Sequence, residues 1–91
     1  MANINIRRTH HLSKDDARQR VEDIARDLKQ KLQIDYQWKG DSLQFKRSGA
    51  QGSIDLGEDF LEVKVKLGLL ASAMKDKIES SIQEKIDSYL A

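Results

Sequence analysis

The chain has 91 residues, no cysteine and no proline, and carries 16 Lys/Arg against 15 Asp/Glu. That length makes one domain over residues 1–91, near the lower end of what folds unaided, and the missing thiols exclude disulfides and thiolate metal sites. A net charge of +1 lacks the strong basic bias of a general nucleic-acid binder. The total hides an asymmetry: residues 1–47 hold 11 Lys/Arg and 7 Asp/Glu, residues 48–91 hold 5 and 8.

The first segment alternates. Ile4 and Ile6 fall on one side and Asn3, Asn5 and Arg7 on the other, which predicts a half-buried strand running towards His10. In "LSKDDARQRVEDIARDLKQKLQ", Ser13 stands at an N-cap position, with Asp16 placed for the reciprocal half of a capping box. Ala17, Val21, Ile24, Ala25, Leu28 and Leu32 then form a single apolar stripe along an otherwise charged helix.

Period two then returns. Ile34, Tyr36 and Trp38 share a face, as do Leu43 with Phe45, Ile54 with Leu56, and Leu61, Val63, Val65 and Leu67 together. The breaks "KGDS", "RSGAQG" and "GED" predict compact turns between four antiparallel strands, greasy on one face and wet on the other. Gly40, Gly49 and Gly57 fall where hairpins call for positive φ. Gly52 marks a bulge or the close approach of a helix. From about Leu69 to Leu90 the chain reads as helix, with Met74, Ile78, Ile82 and Ile86 recurring every four residues.

The order β-α-β-β-β-β-α predicts an α+β two-layer sandwich, an antiparallel sheet with two helices on one face. The first strand pairs at one edge of the meander, without indication of which. Helices of this length outreach six-residue strands. Apolar surface is therefore expected at the helix ends, at Ile86, Tyr89 and Leu90, where it would make a homodimer contact.

The chemistry-bearing residues point away from catalysis. "GAQG" joins two strands and lacks both the GxGxxG and the GK[ST] of phosphate loops. Adjacent strand residues face opposite ways, so His10 and His11 cannot jointly hold a metal. Ser13, Ser42, Ser48, Ser53, Ser72, Ser80, Ser81 and Ser88 lack the setting of a nucleophile. No catalytic, cofactor-binding or metal-binding residue, and no cofactor, is expected. Arg7, Arg8, Lys39, Lys46, Arg47, Lys64 and Lys66, with Trp38 among them in the sequence, are the residue types of a nucleic-acid platform. Strand parity nevertheless turns Trp38, Tyr36 and Phe45 to the apolar side, and Asp35, Asp55 and Glu62 dilute the wet face, so no nucleic-acid partner is expected. The longest apolar run, "LGLLA", falls far short of the ~20 residues of a membrane span. "MANINIRRTHH" has no apolar signal region; a cytoplasmic protein is expected.

In "IRRTHHLSKDDAR", "WKGDSLQFKRSGAQGSI" and "VKVKLGLL", taken in this order and spacing, the chain resembles the polyhydroxyalkanoic acid system proteins, small bacterial proteins also called granule-region proteins. The resemblance extends over essentially the whole chain. It implies a link to making, storing or using polyhydroxyalkanoate polyester and a place with granule proteins or at the granule surface, and it assigns no catalytic or binding residue. A non-enzymatic accessory or interaction protein is the leading expectation. The alternative is a small carrier of an acyl or hydroxyacyl ligand, held between sheet and helices in a pocket walled by Trp38, Phe45, Val63 and the final helix.

Overall fold

In the computed structural model the described residues are 2–69 and 71–90, without the side chains of Ala2 and Leu32. Leu32, the last member of the predicted helical stripe, thus lies outside the described side chains. The elements run β1 (Ala2–Thr9), α1 (Lys14–Leu32), β2 (Asp35–Lys39), β3 (Ser42–Arg47), β4 (Ala50–Leu56), β5 (Phe60–Leu67), a 3₁₀ turn (Ala71–Met74) and α2 (Lys75–Leu90). The fold is the expected α+β sandwich in the expected order.

All neighbouring strands are antiparallel, in the order β1-β5-β4-β3-β2. The first strand therefore pairs with the end of the meander, Ile4 opposite Val65 and Ile6 opposite Val63. α1 carries the chain from one edge of the sheet to the other. Each register runs without an offset, so the sheet contains no bulge in the described residues. Its inward residues, among them Ile4, Leu43, Leu61, Val63 and Leu67, meet Ala17, Val21, Ile24 and Ala25 of α1 and Ile86 of α2 in one buried cluster.

Local chemistry sets the boundaries. The Ser13 hydroxyl accepts from the Asp16 N–H at 3.1 Å, capping α1. Gln33, at φ 55, closes the helix in the left-handed region, and its N–H donates to the Lys29 carbonyl at 2.9 Å. Gly40 (φ 60) and Gly49 (φ 87) hold the positive φ their turns require.

Several expectations are corrected. Gly57 has no positive φ; the Phe60 ring lies against it and leaves no room for a Cβ. Gly52 marks neither a bulge nor a helix contact. A Cβ there would fall onto the Lys64 carbonyl oxygen and 2.9 Å from Phe45 Cζ, so the crowding comes from the adjoining strands. The last helix starts later than Leu69: the Ser72 hydroxyl donates to the Gly68 carbonyl at 2.8 Å, and a 3₁₀ turn precedes α2. Most consequential is Ile86, placed at an exposed end from the sequence but only 1 % exposed, which removes it from any dimer contact in this fold. Among the described residues, the large apolar side chains left in solvent are instead Leu69 (81 % exposed) and Met74 (50 %), at the opposite end of the final helical segment.

α2 is thus docked asymmetrically. Around Ile86, Lys85 donates to Asp27 of α1, Arg8 of β1 meets Asp87 at 3.3 Å, and Arg20 donates to the Tyr89 carbonyl at 3.1 Å. Ile78 and Ile82, nearer the start, are only half-buried. Among the described residues no helix is long and apolar enough to cross a membrane.

Candidate functional site: the uncovered sheet face

With both helices on one side, the other side of the sheet has no layer over it. Strand alternation and the observed registers place its outward residues, apart from the Thr9–Phe60 pair at the end of β1 and β5, in three rows. One runs Asn3, Lys66, Gln51, Lys46, Asp35 from edge to edge. The next runs Asn5, Lys64, Ser53, Gln44, Gln37. The third runs Arg7, Glu62, Asp55, Ser42, Lys39. Every residue is polar, and the middle of the face is a floor of amides and a hydroxyl beneath lysine side chains.

This face holds a shallow depression of about 730 Å³. A second, of about 320 Å³, lies at the β3–β4 hairpin end, and the two share Lys46, Gln51 and Lys66 as lining. Cations and anions are unevenly distributed around this hollow. At the end away from the hairpin the acids are engaged: Glu62 meets Lys64 at 3.5 Å, and the Ser42 hydroxyl donates to Asp55 at 2.6 Å. The Arg7 guanidinium there lies 4.0 Å from the Phe60 ring centre. At the other end Lys46 and Lys66 are exposed and, among the described residues, have no carboxylate within ion-pair distance. Asp35 is the backbone partner of Lys46 across β2–β3, yet forms no ion pair with it.

The basic residues singled out in the sequence are divided by the fold. Arg7, Lys39, Lys46, Lys64 and Lys66 share the uncovered face, Arg8 turns to Asp87, and Trp38 faces the helices as parity predicts. There the Trp38 indole donates to Glu22 Oε1 at 3.0 Å, and the Tyr36 hydroxyl donates to Glu22 Oε2 at 2.7 Å. Arg26 adds an ion pair to Glu22 at 3.1 Å, and the Arg18 guanidinium stacks 4.0 Å from the Trp38 ring. Burial alone raises the Glu22 carboxyl, but hydrogen bonds from Tyr36 and Trp38 and the Arg26 charge outweigh it and hold the group below the usual carboxylate range. The Glu22 bond and, secondarily, burial push the Tyr36 phenol up.

Glu22, Arg18 and Arg26 are the members of this cluster that reading the sequence did not find. A half-buried indole and phenol each need an acceptor, and Glu22, beside Val21 at the margin of the α1 stripe, was positioned to supply it. The same edge is clamped by Lys14, 2.6 Å from Asp41, and by Arg18, which donates to the Gly40 carbonyl at 2.9 Å. "WKGDSLQFKRSGAQG" therefore turns two corners and fastens one of them to α1.

The histidines do not converge. His10 is 6 % exposed, and its Nδ1 accepts from the Leu12 N–H at 3.2 Å. His11 is exposed. Among the described residues no group of three or more His, Asp or Glu is arranged to hold a metal ion.

Among curated proteins and among solved structures, nothing matches this chain. A family model does: it covers residues 4–90 and is described as "Putative polyhydroxyalkanoic acid system protein". Its span runs from Ile4 in β1 to the last residue of α2, taking in both helices and all of the sheet but the start of β1. The chain belongs to the polyhydroxyalkanoic acid system family.

Proposed function

We propose that this protein is a non-enzymatic accessory module of the polyhydroxyalkanoate system, acting by contact with granule proteins or with the granule surface. The family match over residues 4–90 carries the reading. The uncovered polar face supports it, because a sheet side with no layer of its own offers a binding surface without rearrangement of the core. The placement of the histidines, one buried and one in solvent, supports a role without catalysis.

The alternative carrier would hold an acyl or hydroxyacyl ligand between sheet and helices. That space is occupied by Leu43, Leu61, Val63 and Ile86, all buried in one cluster. The 730 Å³ hollow lies on the other side of the sheet and is shallow, so it is not the enclosed space between the layers that the carrier reading requires. The test is retention: the tagged, intact protein is mixed with isolated polyhydroxyalkanoate granules carrying their native proteins. Cosedimentation is the expected result. Protein that remains wholly in the supernatant overturns the proposal.

A further inference from the structure

The uncovered face has a shape, a charge distribution and a chemistry that together specify what it holds. Lys64 and Lys66 are two residues apart on β5 and share a side, which separates their stems by about 7 Å. Lys66 and Lys46 flank Gln51 in one row, two strand spacings or about 10 Å apart. The three stems are spread over two directions of the sheet, along β5 and across β3–β4–β5. This triangle matches an extended polypeptide, whose same-side side chains also recur every ~7 Å.

Charge is available where the triangle lies. Lys46 and Lys66 have no ion-pair partner among the described residues, although Asp35 adjoins Lys46 across β2–β3, and the third corner, Lys64, is shared with Glu62 at 3.5 Å. Lys14, Arg26 and Lys85 on the helix side are all engaged. Between the lysines, Gln44, Gln51 and Ser53 present both donors and acceptors, suited to the peptide groups of a chain laid over them. The opposite end of the face sets Asp55 and Glu62 against Arg7 and Lys39 and offers no surplus of positive charge. A ligand acidic at one end therefore matches the face better than one anionic along its whole length.

Single-stranded nucleic acid fits less well. Its non-specific binders combine a positive groove with aromatic side chains on which bases stack. Here Tyr36, Trp38 and Phe45 face inward, and the outward ring, Phe60, is covered by Arg7 at the acidic end.

We infer that the uncovered sheet face docks an extended acidic segment of a partner protein, with its carboxylates over Lys46, Lys64 and Lys66. The inference deepens the interaction-module reading and rests on it. Its own test uses a defined peptide, so failure here is distinguishable from failure to be retained on granules.

The probe is a fluorescently labelled peptide of alternating aspartate and serine, titrated with the intact protein and followed by anisotropy. Expected is saturable binding at about 10 mM ionic strength that weakens at about 150 mM, where the screening length is shorter. Lys46→Gln/Lys66→Gln should weaken it about tenfold, the loss of two exposed charge contacts, without lowering the unfolding midpoint. Lys75→Gln/Lys77→Gln, the same charge change on α2, should leave it unaltered. Equal weakening by the two pairs, tighter binding of an oligothymidylate than of the peptide, or absence of binding at the lower ionic strength overturns the inference.

Discussion

Trp38 and Glu22 are 16 residues apart in sequence and joined by a 3.0 Å hydrogen bond from the indole Nε1–H to a carboxylate oxygen. The bond ties β2, an edge strand, to the middle of α1, and Tyr36 reaches the other oxygen of the same carboxylate. A strand with one neighbour has unpaired backbone groups on its free side. Here side chains fix its orientation against the helix layer, so the outward residues of β2 stay on the opposite face.

Glu22→Ala leaves two half-buried donors without their acceptor and should cost about 1–3 kcal/mol. Glu22→Gln keeps one acceptor oxygen and should cost less. Trp38 is the only tryptophan, so urea unfolding followed by its fluorescence reports the cost directly. In the Ala variant the native emission should also shift to the red. An unchanged midpoint and spectrum would show that the hydrogen bonds contribute nothing to the docking of β2.

Acid should destabilise the protein through two carboxylates. Glu22 is held low for the reasons above, and Asp27 is held low chiefly by its hydrogen bond from Lys85, against a smaller effect of burial. For a depressed carboxyl the unfolded chain binds more protons between the folded and unfolded values, so stability rises with pH in that window. The contribution is complete above the unfolded values of about 4 and is lost as pH falls through the folded ones. Lys85 and Lys14 are raised, chiefly by the hydrogen bonds they donate to Asp27 and Asp41. Their share is complete below about pH 10 and lost as pH rises through the folded values. Urea midpoints measured against pH should therefore fall on the acid side, and Glu22→Gln/Asp27→Asn should flatten that limb. An acid limb equally steep in the double variant contradicts the assignment.

Gly52 and Gly40 should respond to alanine for different reasons. At Gly52 the Cβ would collide with the Lys64 backbone carbonyl, which the β4–β5 ladder holds in place, and with the Phe45 ring. The expected cost is about 1–3 kcal/mol, typical of overpacking. At Gly40 nothing lies within 4 Å of an added Cβ, but φ is +60. The cost there is the left-handed backbone alone, about 1–2 kcal/mol. Replacing Gly40 by asparagine, which tolerates that conformation, should recover much of the loss, whereas Gly52→Asn should be worse than Gly52→Ala. Thermal unfolding of the four variants distinguishes the mechanisms.

The asymmetric docking of α2 predicts an uneven response along its length. Ile86→Ala removes a side chain buried in the common cluster and should cost about 2–5 kcal/mol. Met74→Ala, at a half-exposed side chain, should cost less than about 1 kcal/mol. Amide hydrogen exchange should be faster over residues 75–80 than around Ile86, where Asp27, Arg8 and Arg20 hold the helix. Uniform protection along α2 would contradict this picture.

The inward and outward faces were legible from the sequence because a period of two assigns side chains to faces without knowledge of strand order. Trp38, Tyr36 and Phe45 went inward and Lys46, Lys64 and Lys66 outward on that rule alone. Which lysines become neighbours was not legible. Lys46 and Lys66 are 20 positions apart and meet across Gln51 through the pairings β3–β4 and β4–β5. The hollow is lined by side chains from all five strands, which no local pattern brings together. Ile86 was misplaced because helix length indicated an overhang without fixing which end it would occupy. The cross-helix bond between Lys85 and Asp27 and the Arg8–Asp87 pair settle that in favour of a buried C-terminal half. At Gly52 the sequence marked a close approach, and only the partner strand identified Phe45 and Lys64 as its cause.

The account depends most on the uncovered face being the surface by which the protein is held in its setting. Cosedimentation with isolated polyhydroxyalkanoate granules should be compared between the intact protein and its folded Lys46→Gln/Lys66→Gln variant. The unmodified protein should pellet with the granules, and the variant should remain largely in solution. Equal retention of the two would contradict the account and locate the contact elsewhere on the molecule.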